Sequence, residues 1–133
     1  MERELEERIV AYRILESKLD GLLKQRDMVV SKMIELDTTL KSMDDIEKSE
    51  EVLFPLGSET YTFGKVIDKK RMIVEIGSGI VLEKTVEEAK EIMKKRRTEL
   101  ENILNNVQNE VMQVSSSLDV LGPEIRELSE KEG

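Results

Sequence analysis

The chain has 133 residues, a length that fits one domain, and its 29 acidic against 21 basic residues give a formal charge of −8. It contains no His, Cys or Trp, which excludes imidazole or thiolate metal sites, cysteine nucleophiles, disulfides and any Ser-His-Asp relay, since each needs a ring nitrogen or a sulfur. Charged and hydrophobic residues each make up 38%, a balance too polar for a large core covered on both faces and better suited to an elongated shape with a narrow apolar seam.

Residues 1–48 hold no proline and one glycine. Leu5, Tyr12, Leu15, Leu19, Leu22, Val29, Met33, Leu36, Leu40 and Met43 recur at steps of three and four, with Arg8 and Arg26 standing in the same row. Such spacing draws one stripe along a helix, and over so many turns it predicts a coiled coil.

Beyond residue 48 the period shortens to two and turn residues crowd in. Residues 52–56 (Val-Leu-Phe-Pro-Leu) read as a strand, Gly57-Ser58 as a turn and 59–67 as the partner strand. A second hairpin follows, with strands over 71–76 and 80–84 joined by Gly77-Ser78-Gly79. Pro55 cannot donate to a strand ladder, so the first strand belongs at an edge. Isolated two-stranded hairpins are marginally stable in water, which predicts that Val52, Phe54, Leu56, Tyr61, Phe63, Ile73, Val74, Ile76, Ile80 and Leu82 serve oligomerisation.

Residues 85–133 return to the helical spacing, through Val86, Ala89 and Met93 and then Leu100, Leu104, Val107, Val111, Val114, Leu118, Leu121, Ile125 and Leu128. Thr85 with Glu88 three residues on has the form of a capping box, a helix start. Near the far end Gly122-Pro123 is expected to kink or split the helix and leave a short final turn. The resulting fold class is α+β: a long antiparallel coiled-coil hairpin with two β-hairpins inserted, whose strands assemble with those of other chains. The whole chain forms one domain in this reading, divided into arms at 1–48 and 85–133 and an insert at 49–84.

Little in this pattern supports catalysis. Gly79-Ile80-Val81-Leu82-Glu83-Lys84-Thr85 approaches a phosphate-cradling loop but lacks its second glycine, and its β-branched run favours a strand running into a helix cap. Carboxylate clusters at Glu2/Glu4/Glu6/Glu7, Asp44-Asp45-Glu47 and Glu50-Glu51 have no concave, partly dry pocket implied around them, so solvated helix faces account for them. Lys94-Lys95-Arg96-Arg97 is flanked by Glu87, Glu88, Glu91, Glu99 and Glu101 at pairing distances along one helix. No catalytic residue, metal ligand or cofactor is assigned. An acidic chain repels a phosphate backbone, and no apolar run reaches a membrane span, so neither nucleic acid nor membrane is an expected partner. Met1-Glu2-Arg3-Glu4 opens without the apolar stretch of a signal peptide, which makes the cytoplasm the expected compartment.

The ends of the two helices differ from the rest. In an antiparallel hairpin Leu5, Ile9 and Tyr12 lie beside Leu118, Leu121, Ile125 and Leu128 at the end away from the strands. Fraying there opens a small adaptable apolar surface ringed by charge, for which two readings stand: the residues zip the end closed, or they bind a partner.

The layout as a whole resembles the alpha-class subunit of prefoldin. The resemblance rests on Phe54-Pro55-Leu56-Gly57-Ser58, Lys65-Val66 and the stretch Ile73 to Thr85 with its Gly-Ser-Gly turn. Two hairpins, where beta-class members carry one, select the alpha class. The resemblance implies an ATP-independent chaperone in which two alpha and four beta subunits join their hairpins into a β-barrel platform. It further implies that non-native proteins are held at the helix ends and passed to a group II chaperonin. A structural coiled-coil protein or a filament-forming homo-oligomer is the alternative.

Overall fold

A computed structural model describes residues 2–132 of the chain. Helix α1 spans Glu2–Lys48 and helix α2 spans Val86–Glu132, each 47 residues long. Between them lie strands β1 (Val52–Gly57), β2 (Thr60–Gly64), β3 (Arg71–Gly77) and β4 (Ile80–Thr85). The strands form two separate antiparallel sheets, β1 with β2 and β3 with β4. The expected elements are all present; β2 stops at Gly64, three residues short of the expected end, leaving Lys65 to Ile67 outside any strand.

Both hairpins turn by the same device. In β1–β2 the pairing passes from Pro55↔Tyr61 to Gly57↔Thr60, so Leu56 is an extra, bulged residue, and in β3–β4 Ile76 occupies the equivalent place between Glu75↔Val81 and Gly77↔Ile80. The turn residues then take positive φ: 47° at Ser58 and 61° at Glu59, against 51° at Ser78 and 76° at Gly79. Two successive positive φ values make the turn whose twist matches the flanking strands. The first turn is thus centred on Ser58-Glu59 and not on Gly57-Ser58 as the sequence suggested.

The chain forms two compact units. One contains residues 33–99. Its buried cluster is Met43, Val74, Ala89 and Met93, with Leu36, Leu40, Met72 and Ile92 against it. Val74 and Met72 lie on one face of β3, so this hairpin is docked on the helices. Backbone and side-chain bonds fix it further: Val86 N–H donates to the Lys70 carbonyl at 3.0 Å, and the Arg96 guanidinium donates to the Glu75 carbonyl at 2.6 Å. The capping box forms as expected, with Glu88 N–H donating to Thr85 Oγ1 at 3.1 Å and Thr85 N–H donating to Glu88 Oε1 at 3.2 Å. The helices run antiparallel here, because Asp37 meets Arg97 and Asp44 meets Lys90.

The other unit contains residues 2–32 and 100–132 of the described chain. Leu22, Val107 and Val114 are its buried cluster, flanked by Leu15, Leu19, Val111 and Leu118. These are the residues of the two stripes, facing each other across antiparallel helices. Helix α2 runs unbroken through Pro123, so the expected split is not seen. Proline removes one backbone donor and crowds the carbonyl four residues back, but Leu121, Ile125 and Leu128 on either side remain half-buried in the seam and hold the segment in place.

Candidate functional site

Two sets of exposed apolar residues stand out, one on each unit. The first is the pair of hairpins. Pairing puts Leu53 opposite Phe63 and Pro55 opposite Tyr61 on one face of β1–β2, with Phe54 opposite Thr62 on the other. Neither face is covered, with Phe63 at 76% and Leu56 at 68% exposure. Within the sheet the Phe54 ring lies over Gly64, where a Cβ would come within 2.6 Å of Phe54 Cε2, so glycine makes room for the ring. The docked hairpin β3–β4 buries Val74, but Ile73, Ile76, Ile80 and Leu82 are exposed. Arg71 donates to Asp68 at 2.7 Å and to Glu83 at 2.8 Å, which fastens the two strands across their outer face. Of the ten expected oligomerisation residues, Val52 is half-buried, Val74 is buried in its own unit, and the other eight are exposed.

The second set is at the ends of the helices. All seven expected residues, Leu5, Ile9, Tyr12, Leu118, Leu121, Ile125 and Leu128, are half-buried, while Leu22, Val107 and Val114 further along the same seam are buried. Burial therefore falls off toward the helix ends. Ile9, Tyr12, Gly122 and Ile125 form the floor of a shallow groove of about 480 Å³, and Arg13, Glu16, Arg126, Ser129 and Glu130 complete its lining. The Tyr12 ring sits over Gly122, the absent side chain deepening the groove there. Arg8 bridges the two helices beside it, donating to Glu124 at 3.0 Å and to Glu4 at 2.7 Å, and these two carboxylates raise its pKa. Of the seven expected residues Ile9, Tyr12 and Ile125 line this groove and Leu5, Leu118, Leu121 and Leu128 do not; sequence reasoning missed Gly122 and the charged lining, although Arg8, a cation in an apolar row, signalled an acidic partner on the facing helix.

The remaining motifs have structural places. Ile80 to Thr85 of the near-phosphate loop is strand β4. The basic run is not paired only along its own helix as expected: Lys94 meets Glu91 at 3.8 Å, but Arg97 grips Asp37 of α1 through two bonds of 2.6 and 3.2 Å. Its neighbour Arg96 reaches the Glu75 carbonyl. Among the described residues no group of three or more carboxylates is placed to hold a metal ion, and no helix is long and apolar enough to cross a membrane.

Two long helices flanking two small hairpins is a specific arrangement, and the family model described as prefoldin subunit matches residues 15–131. The chain belongs to the prefoldin family. A prefoldin subunit alpha from Archaeoglobus fulgidus is 30% identical over 98% of both chains. Another from Pyrococcus horikoshii is 23% identical over 98% of this chain and 90% of its own. A solved chain from filamentous prefoldin of Methanocaldococcus jannaschii superposes with a TM-score of 0.72 at 20% identity, covering 86% of this chain and 97% of that one. The archaeal relatives, named prefoldin subunit alpha, place the chain with the alpha class of prefoldin, a chaperone-type subunit.

Proposed function

We propose that this prefoldin subunit holds non-native proteins at its helix ends without ATP and delivers them to a group II chaperonin. Its hairpins join those of beta-class subunits in a complex of two alpha and four beta chains, forming a β-barrel platform. The observation that carries the reading is the half-buried apolar groove at the helix ends, away from the buried stretch of the seam. A shallow apolar surface binds an unfolded segment weakly, and several such surfaces in one complex convert weak contacts into useful avidity. The activity is binding, with no step of covalent chemistry. The uncovered faces of the β1–β2 hairpin support the assembly half of the proposal, because exposed apolar strands of this kind need partner chains.

Removing residues 1–9 and 122–133 tests the holding role, since it deletes much of the groove and leaves the hairpins and the buried seam. Suppression of client aggregation should be lost while assembly persists. Unchanged suppression would overturn the proposal.

A second reading is homo-assembly into filaments. The uncovered hairpin favours it as much as it favours a hetero-complex, and one similar solved chain is of a filamentous prefoldin. Light scattering separates the two. A discrete complex of about six chains appearing only on mixing with a beta-class subunit supports the chaperone complex, and large assemblies of this chain alone support the filament.

A further inference from the structure

We propose that the helix-end groove selects non-native segments in which an apolar side chain is flanked by lysine or arginine. The inference rests on the holding role proposed above and adds the class of segment that is held. The groove floor of Ile9, Tyr12, Gly122 and Ile125 takes the apolar side chain. What surrounds it decides the flanks. Residues 2–16 and 119–132 carry ten carboxylates and five basic groups, so a net −5 of the chain's −8 is concentrated on the two helix ends.

Three of those five cations are already engaged. Arg3 pairs with Glu7, Arg8 with Glu4 and Glu124, and Lys131 with Glu127. Arg13 and Arg126 at the groove are balanced in number there by Glu16 and Glu130, so the lining itself is neutral and the excess charge lies around it. The net −5 therefore rests on carboxylates beyond these matches, among them Glu2, Glu6, Asp119 and Glu132 at the same two helix ends, and Asp119 shares with Glu16 the wall of the adjoining groove beside Tyr12. Their field is screened only beyond about 8 Å at physiological salt, so it reaches a segment lying in the groove. An apolar floor in a negative field attracts cationic flanks, repels acidic ones, and lets the methylene stems of lysine and arginine cover its edges.

The test uses the full chain in its assembled state and three unfolded fluorescent peptides that share one apolar centre, flanked by lysine, glutamate or serine. At about 50 mM salt the lysine-flanked peptide should bind about tenfold more tightly than the glutamate-flanked one, and the ratio should approach unity near 500 mM. The variant E16Q/D119N/E130Q should lower the ratio about threefold at the same helix content by circular dichroism. Equal affinities for the lysine and glutamate peptides at low salt, or a ratio unmoved by the three substitutions, would overturn the charge selection and leave the holding role standing. Failure of all three peptides to bind would overturn the holding role and this inference together.

Discussion

At the residue scale the two hairpin turns make an internal comparison. Both need two positive φ values in succession, yet the second of these falls on Glu59 in one turn and on Gly79 in the other. A side chain with a Cβ pays about 1 kcal/mol or more to occupy this region, and glycine does not. Glu59→Gly should therefore stabilise the β1–β2 hairpin by about 1 kcal/mol, seen as roughly fivefold slower amide exchange in β1 and β2 with the other hairpin unchanged. The helix start behaves in the opposite sense. Thr85 Oγ1 accepts from Glu88 N–H, so Thr85→Ala leaves an N-terminal donor of α2 without its cap and should cost about 1 kcal/mol in chemical unfolding. Turn position is where the sequence misled: Gly57-Ser58 carries the stronger turn propensity, but the Leu56 bulge shifts the pairing by one residue and moves the turn to Ser58-Glu59.

At the element scale, the hairpins differ in what they lean on. Strand β3 inserts Val74 between Met43, Ala89 and Met93, so truncating Met93 opens a cavity beneath it. Met93→Ala should lower the stability of this unit by about 2–4 kcal/mol, measured by urea unfolding. Phe63, at 76% exposure on β2, touches no such core, and Phe63→Ser should leave the unfolding midpoint of the isolated chain nearly unchanged while preventing assembly with other subunits. The helices and strands were legible in the sequence because their periods, 3.5 and 2, are imposed by burial on one side, and Leu22, Val107 and Val114 are buried where the stripes put them. Two features were hidden. That one hairpin is docked and the other uncovered follows from which face meets the helices, a tertiary fact with no local signal. Helix α2 continuing through Pro123 is likewise a tertiary override of a local preference. Of the groove floor, Tyr12 and Ile125 were legible as the last turns of the stripes; Ile9, Gly122 and the charged lining lie off the stripes, where the spacing carries no signal.

At the scale of the whole molecule, charge sets how stability responds to pH. Asp37 is held below the usual carboxylate range by its hydrogen bonds from Arg97, and Asp44 by its bond from Lys90. Asp68 is lowered by Arg71, and Glu88 by the backbone and side chain of Thr85. A group whose pKa is lower folded than unfolded binds more protons when unfolded, so its contribution is complete above the ordinary carboxylate value near 4 and disappears as pH falls through the lowered one. Lys90, raised by Asp44 and Glu47, has the opposite sign: its contribution is complete below the ordinary lysine value and is lost as pH rises through the raised one. Repulsion within a chain of charge −8 is relieved only when carboxylates protonate, in the same acidic range, so it leaves the interval between about pH 5 and 9 flat. The expected profile is a thermal midpoint constant across that interval and falling below about pH 4, recorded at one protein concentration because assembly also shifts the midpoint. The double variant D37N/D44N removes two of the pairs that join the helices, Asp37 to Arg97 and Asp44 to Lys90, and leaves Lys90 to Glu47 and Arg8 to Glu124 in place. It should start lower at neutral pH and fall less steeply in acid. A profile in acid as steep as that of the unsubstituted chain would show that these two pairs do not set its acid sensitivity, and would place the loss on the other lowered carboxylates, Asp68 and Glu88.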